Sequence, residues 1–200
     1  MHAYASARDP SVALATTLAN RVCHDIAGLL GTLAGTLEMA AEDPEAGSLA
    51  AETAETLKHR IRLLRAAWGG SDGPLSAEAL VDLAQGLPNS ERLRLDVSAV
   101  TGELPAAEAQ LTLCLLLAVP HLRGGVIHIA TSARGVRVTL PVPWPASLAS
   151  CAANMDAAWS ATGTPRELPA PLACLLAATT GHRIVVDGAT ADIESSEPNR

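Results

Sequence analysis

The feature that most constrains this chain is a pair of apolar stripes near its start. Leu14, Leu18, Val22, Ile26, Leu29, Leu33 and Leu37 recur at intervals of three and four, the repeat that lines one face of an α-helix. Leu49, Thr53, Leu57, Ile61, Leu64 and Trp68 continue with the same spacing. Between the stripes, Ala41-Glu42-Asp43-Pro44 stops the first helix, because proline cannot continue it, and Asp43 can cap the second. Asp9-Pro10 marks the entry and Gly69-Gly70 the exit. Two long helices joined by a short loop form an antiparallel hairpin. A lone hairpin leaves its apolar faces partly wet, so two copies pairing into a four-helix bundle is the expected way to bury them. A homodimer is predicted.

After Ser71-Asp72-Gly73-Pro74, which reads as a linker, short alternating elements replace the long helices. The predicted boundary divides a helical hairpin over residues 1–70 from a second domain over 71–200. Ser76–Gly86 and Ala106–Val119 read as helices, Leu93–Val97 as a strand, and Val126–Thr131 with Val136–Val142 as a hairpin turning at Ala133-Arg134-Gly135. Helices near Ser147–Ala161 and Pro171–Thr180 precede closing strands at Ile184–Asp187 and Ala191–Glu194. The fold class is α+β, with the second region predicted as a two-layer α/β sandwich, helices over one face of a mixed sheet. With no Phe, one Tyr and three Trp in 200 residues, Ala, Leu and Val must build the core, which favours close helix packing.

Several classes of function are disfavoured. The net charge is -7 with no run of Lys or Arg, so nucleic acid is not an expected partner. No apolar stretch reaches the roughly 18 to 20 residues a bilayer demands, and Met1-His2-Ala3-Tyr4 lacks the basic start of a secretory signal. The expectation is a cytoplasmic protein. Cys23, Cys114, Cys151 and Cys174 show neither CxxC pairing nor metal-ligand spacing, which fits reduced, buried thiols and no metal site.

His24 lies about 200° around the first helix from Val22, the centre of its apolar stripe, and is expected to face solvent. Asn20, Ala27, Gly28, Gly31 and Gly35 share roughly that face. Each mid-helix glycine costs about 0.8 to 1 kcal/mol relative to alanine, a cost explained either by a flat surface that another protein can approach closely or by tight packing within the bundle. A neutral imidazole is a competent nucleophile near neutral pH, provided something sets its tautomer and stabilises the charge formed on attack. Asp25 is the nearest candidate.

The stretch Asn20-Arg21-Val22-Cys23-His24-Asp25-Ile26-Ala27-Gly28, followed by Leu33 to Met39, resembles the phosphoacceptor box of the ChpT-type histidine phosphotransferases. The resemblance extends to Arg60-Ile61-Arg62-Leu63-Leu64-Arg65-Ala66-Ala67-Trp68-Gly69, more loosely to Arg123-Gly124-Gly125-Val126-Ile127, and in architecture to nearly the whole chain. Related boxes often carry a proline soon after His-Asp; this one has none, a difference that bears on helix bending and not on the histidine. The resemblance implies a dimer with a central helical bundle, and a C-terminal domain like a degenerate histidine-kinase ATPase domain that binds no nucleotide. In the family that domain helps grip the response regulator.

An ATP-dependent histidine kinase is the less favoured reading. Its ATPase domain would present an Asn-bearing helix, an Asp-x-Gly-x-Gly loop and a glycine-rich lid. Here Leu111-Thr112-Leu113-Cys114-Leu115-Leu116-Leu117-Ala118 offers no metal-binding Asn, and Pro141-Val142-Pro143-Trp144-Pro145 offers no phosphate cradle. Gly124-Gly125 reads as a tight turn. Lys58, Arg62 and Arg65 form a basic stripe on the second helix, suited either to an acidic receiver domain or to plain solvation. His59, His121, His128 and His182 carry no comparable motif.

The expected activity is a relay. A phospho-aspartate on the receiver domain of a hybrid sensor histidine kinase gives its phosphoryl group to His24, which passes it to the aspartate of a response regulator. Asp25 assists, and Asn20, Arg21, Ala27, Gly28, Gly31 and Arg62 meet the partner. No intrinsic cofactor is expected, and Mg2+ would come with the receivers. A non-catalytic dimeric scaffold using the same helical face is the remaining alternative.

Overall fold

A computed structural model describes residues 10–69, 73–119, 122–154 and 168–196. The Asp9 cap, Gly70 of the helix exit, the linker residues Ser71 and Asp72, His121 and the part of the expected Ser147–Ala161 helix beyond residue 154 lie outside the described residues. The class is α+β: the described residues form six α-helices and a five-stranded sheet.

Helix α1 spans Pro10–Met39 and α2 spans Pro44–Trp68. The reversal between them is local: the amides of Glu42 and Asp43 both bond the Met39 carbonyl at 3.0 Å. Asp43 accepts the Glu45 amide at 2.9 Å and Pro44 opens the helix, so one of the orphan donors of the first turn is satisfied by a side chain. Along α1, residues 18, 22, 25, 29 and 33 are half-buried and Thr36 is buried, whereas Leu37 is exposed. The seam therefore follows Thr36 where the sequence stripe pointed to Leu37.

The far end of α2 enters the main core through Leu63, Leu64 and Ala67. Its last turn leaves carbonyls without helical partners, and helix α4 (Ala106–Leu117) supplies them: Gln110 Nε2 and the Cys114 thiol both donate to the Ala67 oxygen, at 3.2 and 3.0 Å. A short helix α3 (Ala77–Ala84), capped by Ser76, follows a single bridge between Leu75 and Leu104.

The sheet is mixed. In sequence its strands are β1 (Leu93–Ala99), β2 (Gly125–Ser132), β3 (Gly135–Thr139), β4 (His182–Asp187) and β5 (Thr190–Ser195), and in space they run β1-β2-β3-β5-β4. β1 and β2 are parallel and the other pairs antiparallel; the parallel pair needs a crossover, which α4 provides. Ile127, Ile129, Val136, Val138, Ile184, Ala191 and Ile193 point into the core, with polar residues such as His128 and Arg137 alternating outward. Helices α4, α5 (Ala146–Ala153) and α6 (Pro169–Thr179) pack on this apolar side. Burial on several sides explains why α4 reads Leu-Thr-Leu-Cys-Leu-Leu-Leu without amphipathic relief.

Candidate functional site

His24 projects from α1 with its side chain 87% exposed. Its neighbour Asp25 turns toward the α1–α2 seam, leaving its side chain 18% exposed. The two side chains still approach: His24 Nδ1 and Asp25 Oδ1 are 3.6 Å apart, just beyond hydrogen-bond length. The second carboxylate oxygen is occupied, because Arg21, one turn earlier, donates its Nε–H to Asp25 Oδ2 at 2.9 Å. This i,i+4 pair lies on the border of the seam, where both side chains are largely shielded. One oxygen is thus fixed to Arg21 and the other is held toward the imidazole.

The magnitude of the coupling depends on where the charge sits. Opposite unit charges about 4 Å apart interact by about 4 kcal/mol at an effective dielectric near 20 and by about 1 kcal/mol in bulk water. His24 stands at the watery end, so Asp25 acts on it toward the lower figure until a partner excludes water.

A third charged group joins from α2. Arg60 is half-buried; burial pulls its guanidinium down from its ordinary value, Asp25 acts to raise it, and Arg21 lowers it further. Sequence reasoning did not single out Arg60, because periodicity along α2 does not say which of its arginines is shielded from water. Arg62, which it did single out, donates to Asp82 of α3 at 2.6 Å. Lys58 bonds Glu55 at 2.9 Å.

Asn20, Ala27, Gly28 and Gly31 are all exposed around His24. A β-carbon added at Gly28, Gly31 or Gly35 would meet nothing within 4 Å, so packing inside this chain does not demand glycine there. The other described histidines sit elsewhere: His59 beside Glu55 at 4.0 Å, His128 on Asp96 at 3.0 Å, and His182 with Nδ1 2.8 Å from the Thr180 carbonyl oxygen. Among the described residues no group of three His, Cys, Asp or Glu side chains is placed to hold a metal ion. No helix among them is long and apolar enough to cross a membrane.

The chain is similar to a solved structure described as the 1.7 Å structure of a bacterial phosphotransferase, with 20% identity, a TM-score of 0.66, and coverage of 90% of this chain and 95% of the other. That likeness shows a phosphotransferase-like fold. No protein-family model and no curated protein matches the chain.

Proposed function

We propose that this chain is a histidine phosphotransferase of the ChpT type, receiving a phosphoryl group on His24 from a receiver-domain aspartate and handing it to the aspartate of a response regulator. The observation that carries this reading is the exposed His24 ring with Nδ1 turned toward Asp25 at 3.6 Å, and Asp25 itself tied back by Arg21. A general phosphotransferase role agrees with the neighbouring fold.

In this mechanism Nδ1–H faces Asp25, so the Nε2 lone pair is free to attack. The new bond forms between Nε2 and phosphorus as the bond from phosphorus to the aspartyl oxygen breaks, its electron pair leaving with the receiver's carboxylate. The imidazole ring becomes positively charged, and Asp25 opposes that charge. Transfer onward is the same step reversed on another receiver. Catalysis consists of in-line positioning and charge balance, with Mg2+ held by the receiver.

The finer architecture belongs to the same proposal. Residues 1–70 form the phosphoacceptor and dimerisation hairpin, and 71–200 a degenerate ATPase-like domain. Leu30, Leu37, Met39, Leu49 and Ile61 leave apolar surface exposed on the single hairpin, which supports closure into a four-helix bundle by a second copy. Helix α4 buries Leu111 to Leu117 completely or nearly so, so its side chains are committed to packing rather than to a nucleotide-bound metal.

Mixing the protein with a labelled phospho-receiver, and separately with labelled ATP, tests the reading. Acid-labile label should arrive from the receiver only and require His24. Equal relay by a folded, dimeric His24→Gln variant would sink the reading.

A further inference from the structure

Arg21 and Asp25 stand one turn apart on α1. Side chains of a helix lean toward its N-terminus, so Asp25 reaches back over the turn that carries Arg21. The contact made there uses Nε of Arg21, 2.9 Å from Asp25 Oδ2. That donor belongs to the guanidinium plane at the point where the stem enters it, so the bond fixes the carboxylate against a rigid group. The second oxygen, Oδ1, is left 3.6 Å from His24 Nδ1. Side-chain exposure rises along this chain, from 15% for Arg21 and 18% for Asp25 to 87% for His24. A side chain as shielded as Arg21 is poorly placed to meet a docking protein, the role its place in the motif suggested, and its contact with Asp25 lies within the helix.

A neutral imidazole carries its proton on one nitrogen and a lone pair on the other, and the nitrogen with the lone pair attacks phosphorus. A carboxylate oxygen beside Nδ1 favours the proton there and leaves the lone pair on Nε2. The bias lasts only while the carboxylate keeps its aim. Adjacent helix positions diverge by about 100°, so nothing in the helix itself holds Asp25 Oδ1 toward the ring.

We propose that Arg21 is a positioning residue that, acting through Asp25, selects the ring nitrogen of His24 on which the phosphoryl group is carried. The proposal rests on the reading of His24 as the phosphoacceptor. Arg21 need not touch the phosphoryl group. Removing its positive charge would, by itself, leave the Asp25 carboxylate less opposed and strengthen the pull on a proton at Nδ1. A bias that weakens when Arg21 is removed therefore reports lost aim and not lost charge.

The full-length protein, labelled with 15N-histidine, tests this first without any phosphate. At pH 9, where an imidazole is neutral, long-range 1H–15N NMR correlations report which nitrogen holds the proton, and the His24 signals are those missing from His24→Gln. The parent should hold it mainly on Nδ1. In Arg21→Gln the ratio of the Nδ1–H form to the Nε2–H form should fall by about fivefold. Asp25→Asn should do the same, and Arg21→Gln added to Asp25→Asn should change nothing further. If Arg21→Gln does not fold, Arg21→Met, which keeps an apolar stem against the seam, takes its place. A ratio that is unchanged or raised without Arg21 overturns the proposal, as does an equal effect of Arg21 with and without the Asp25 carboxylate.

Potassium phosphoramidate then supplies a phosphoryl group that has no docking surface. The bond from the attacking ring nitrogen to phosphorus forms as the phosphorus–nitrogen bond of the reagent breaks; ammonia departs with the electron pair, and the ring proton stays on the other nitrogen. At early times 31P NMR should show the Nε2 adduct in the parent and both adducts in Arg21→Gln. The Nε2 adduct alone in both proteins overturns the selection and leaves the phosphoacceptor reading standing. A parent that never loads on His24 overturns that reading together with the selection drawn from it.

Discussion

Gly86 lies directly against the backbone of α2 at His59, so close that an added β-carbon would overlap the His59 carbonyl oxygen and stand 2.8 Å from the β-carbon of Leu63. Neither neighbour can yield easily, because one is helix backbone and the other belongs to a fully buried leucine. Gly86→Ala must push the segment that leads into β1 away from the hairpin. The expected loss is about 1 to 3 kcal/mol, read as a lower urea midpoint by circular dichroism. A variant as stable as the parent would mean that this contact is not tight.

The same contact shows what sequence periodicity reveals and what it leaves hidden. Pro44, Asp43 and Gly69 punctuate the helices through local chemistry, and the alternation in Val136 to Val138 and Ile127 to Ile129 reports a sheet with one buried face. Those elements are legible from a few neighbouring residues. Leu63 and Ala67, which bury α2 against α4, lie one residue before the stripe members Leu64 and Trp68. Their burial depends on a partner helix some forty residues later, which no repeat within α2 encodes. Arg60 and Arg62 are separated by the same logic: both look like basic helix residues, yet one is half-buried and the other is bound to Asp82 on the surface. The outward position of His24 is legible because its angle from the apolar stripe of α1 is a local property of the helix.

In the proposed relay, Asp25 is predicted to matter through its charge. Asp25→Asn keeps the shape but removes the carboxylate that Arg21 holds toward His24, so the charge formed on imidazole as the phosphoryl group arrives would go unopposed. Phosphoryl uptake from a receiver should fall by about 100-fold, within the range for a lost acid–base or orienting group, while the helical circular dichroism signal is kept. Rapid-quench measurement of acid-labile label checks it, and uptake at the parent rate would remove Asp25 from the mechanism.

The four cysteines should separate sharply in reactivity. Cys114 and Cys174 are buried, and burial pushes both thiols up, that of Cys174 to about 12. Cys151 is also buried and raised by the same cause. Because the thiolate is the reactive form, these three should resist iodoacetamide at pH 8 in the native protein. Cys23, exposed on α1, should label within minutes, and mass spectrometry should find one adduct natively and four in denaturant. Rapid native labelling of Cys114 would show that α4 opens readily.

Glu108 supplies a pH-dependent prediction whose sign follows from its surroundings. It lies in the first turn of α4, and burial raises its carboxyl above the ordinary 4.5, while His182, at 4.0 Å, acts in the lowering direction with less effect. A carboxyl that is harder to ionise when folded contributes stability below its unfolded value of 4.5, where it is protonated in both states. That contribution is lost as pH rises through the higher folded value, because the unfolded chain releases the proton more readily. Glutamine imitates the protonated form at every pH. Glu108→Gln should therefore raise the urea midpoint at pH 8 and leave it nearly unchanged at pH 4. A variant less stable than the parent at pH 8 would show that desolvation does not govern the Glu108 carboxyl.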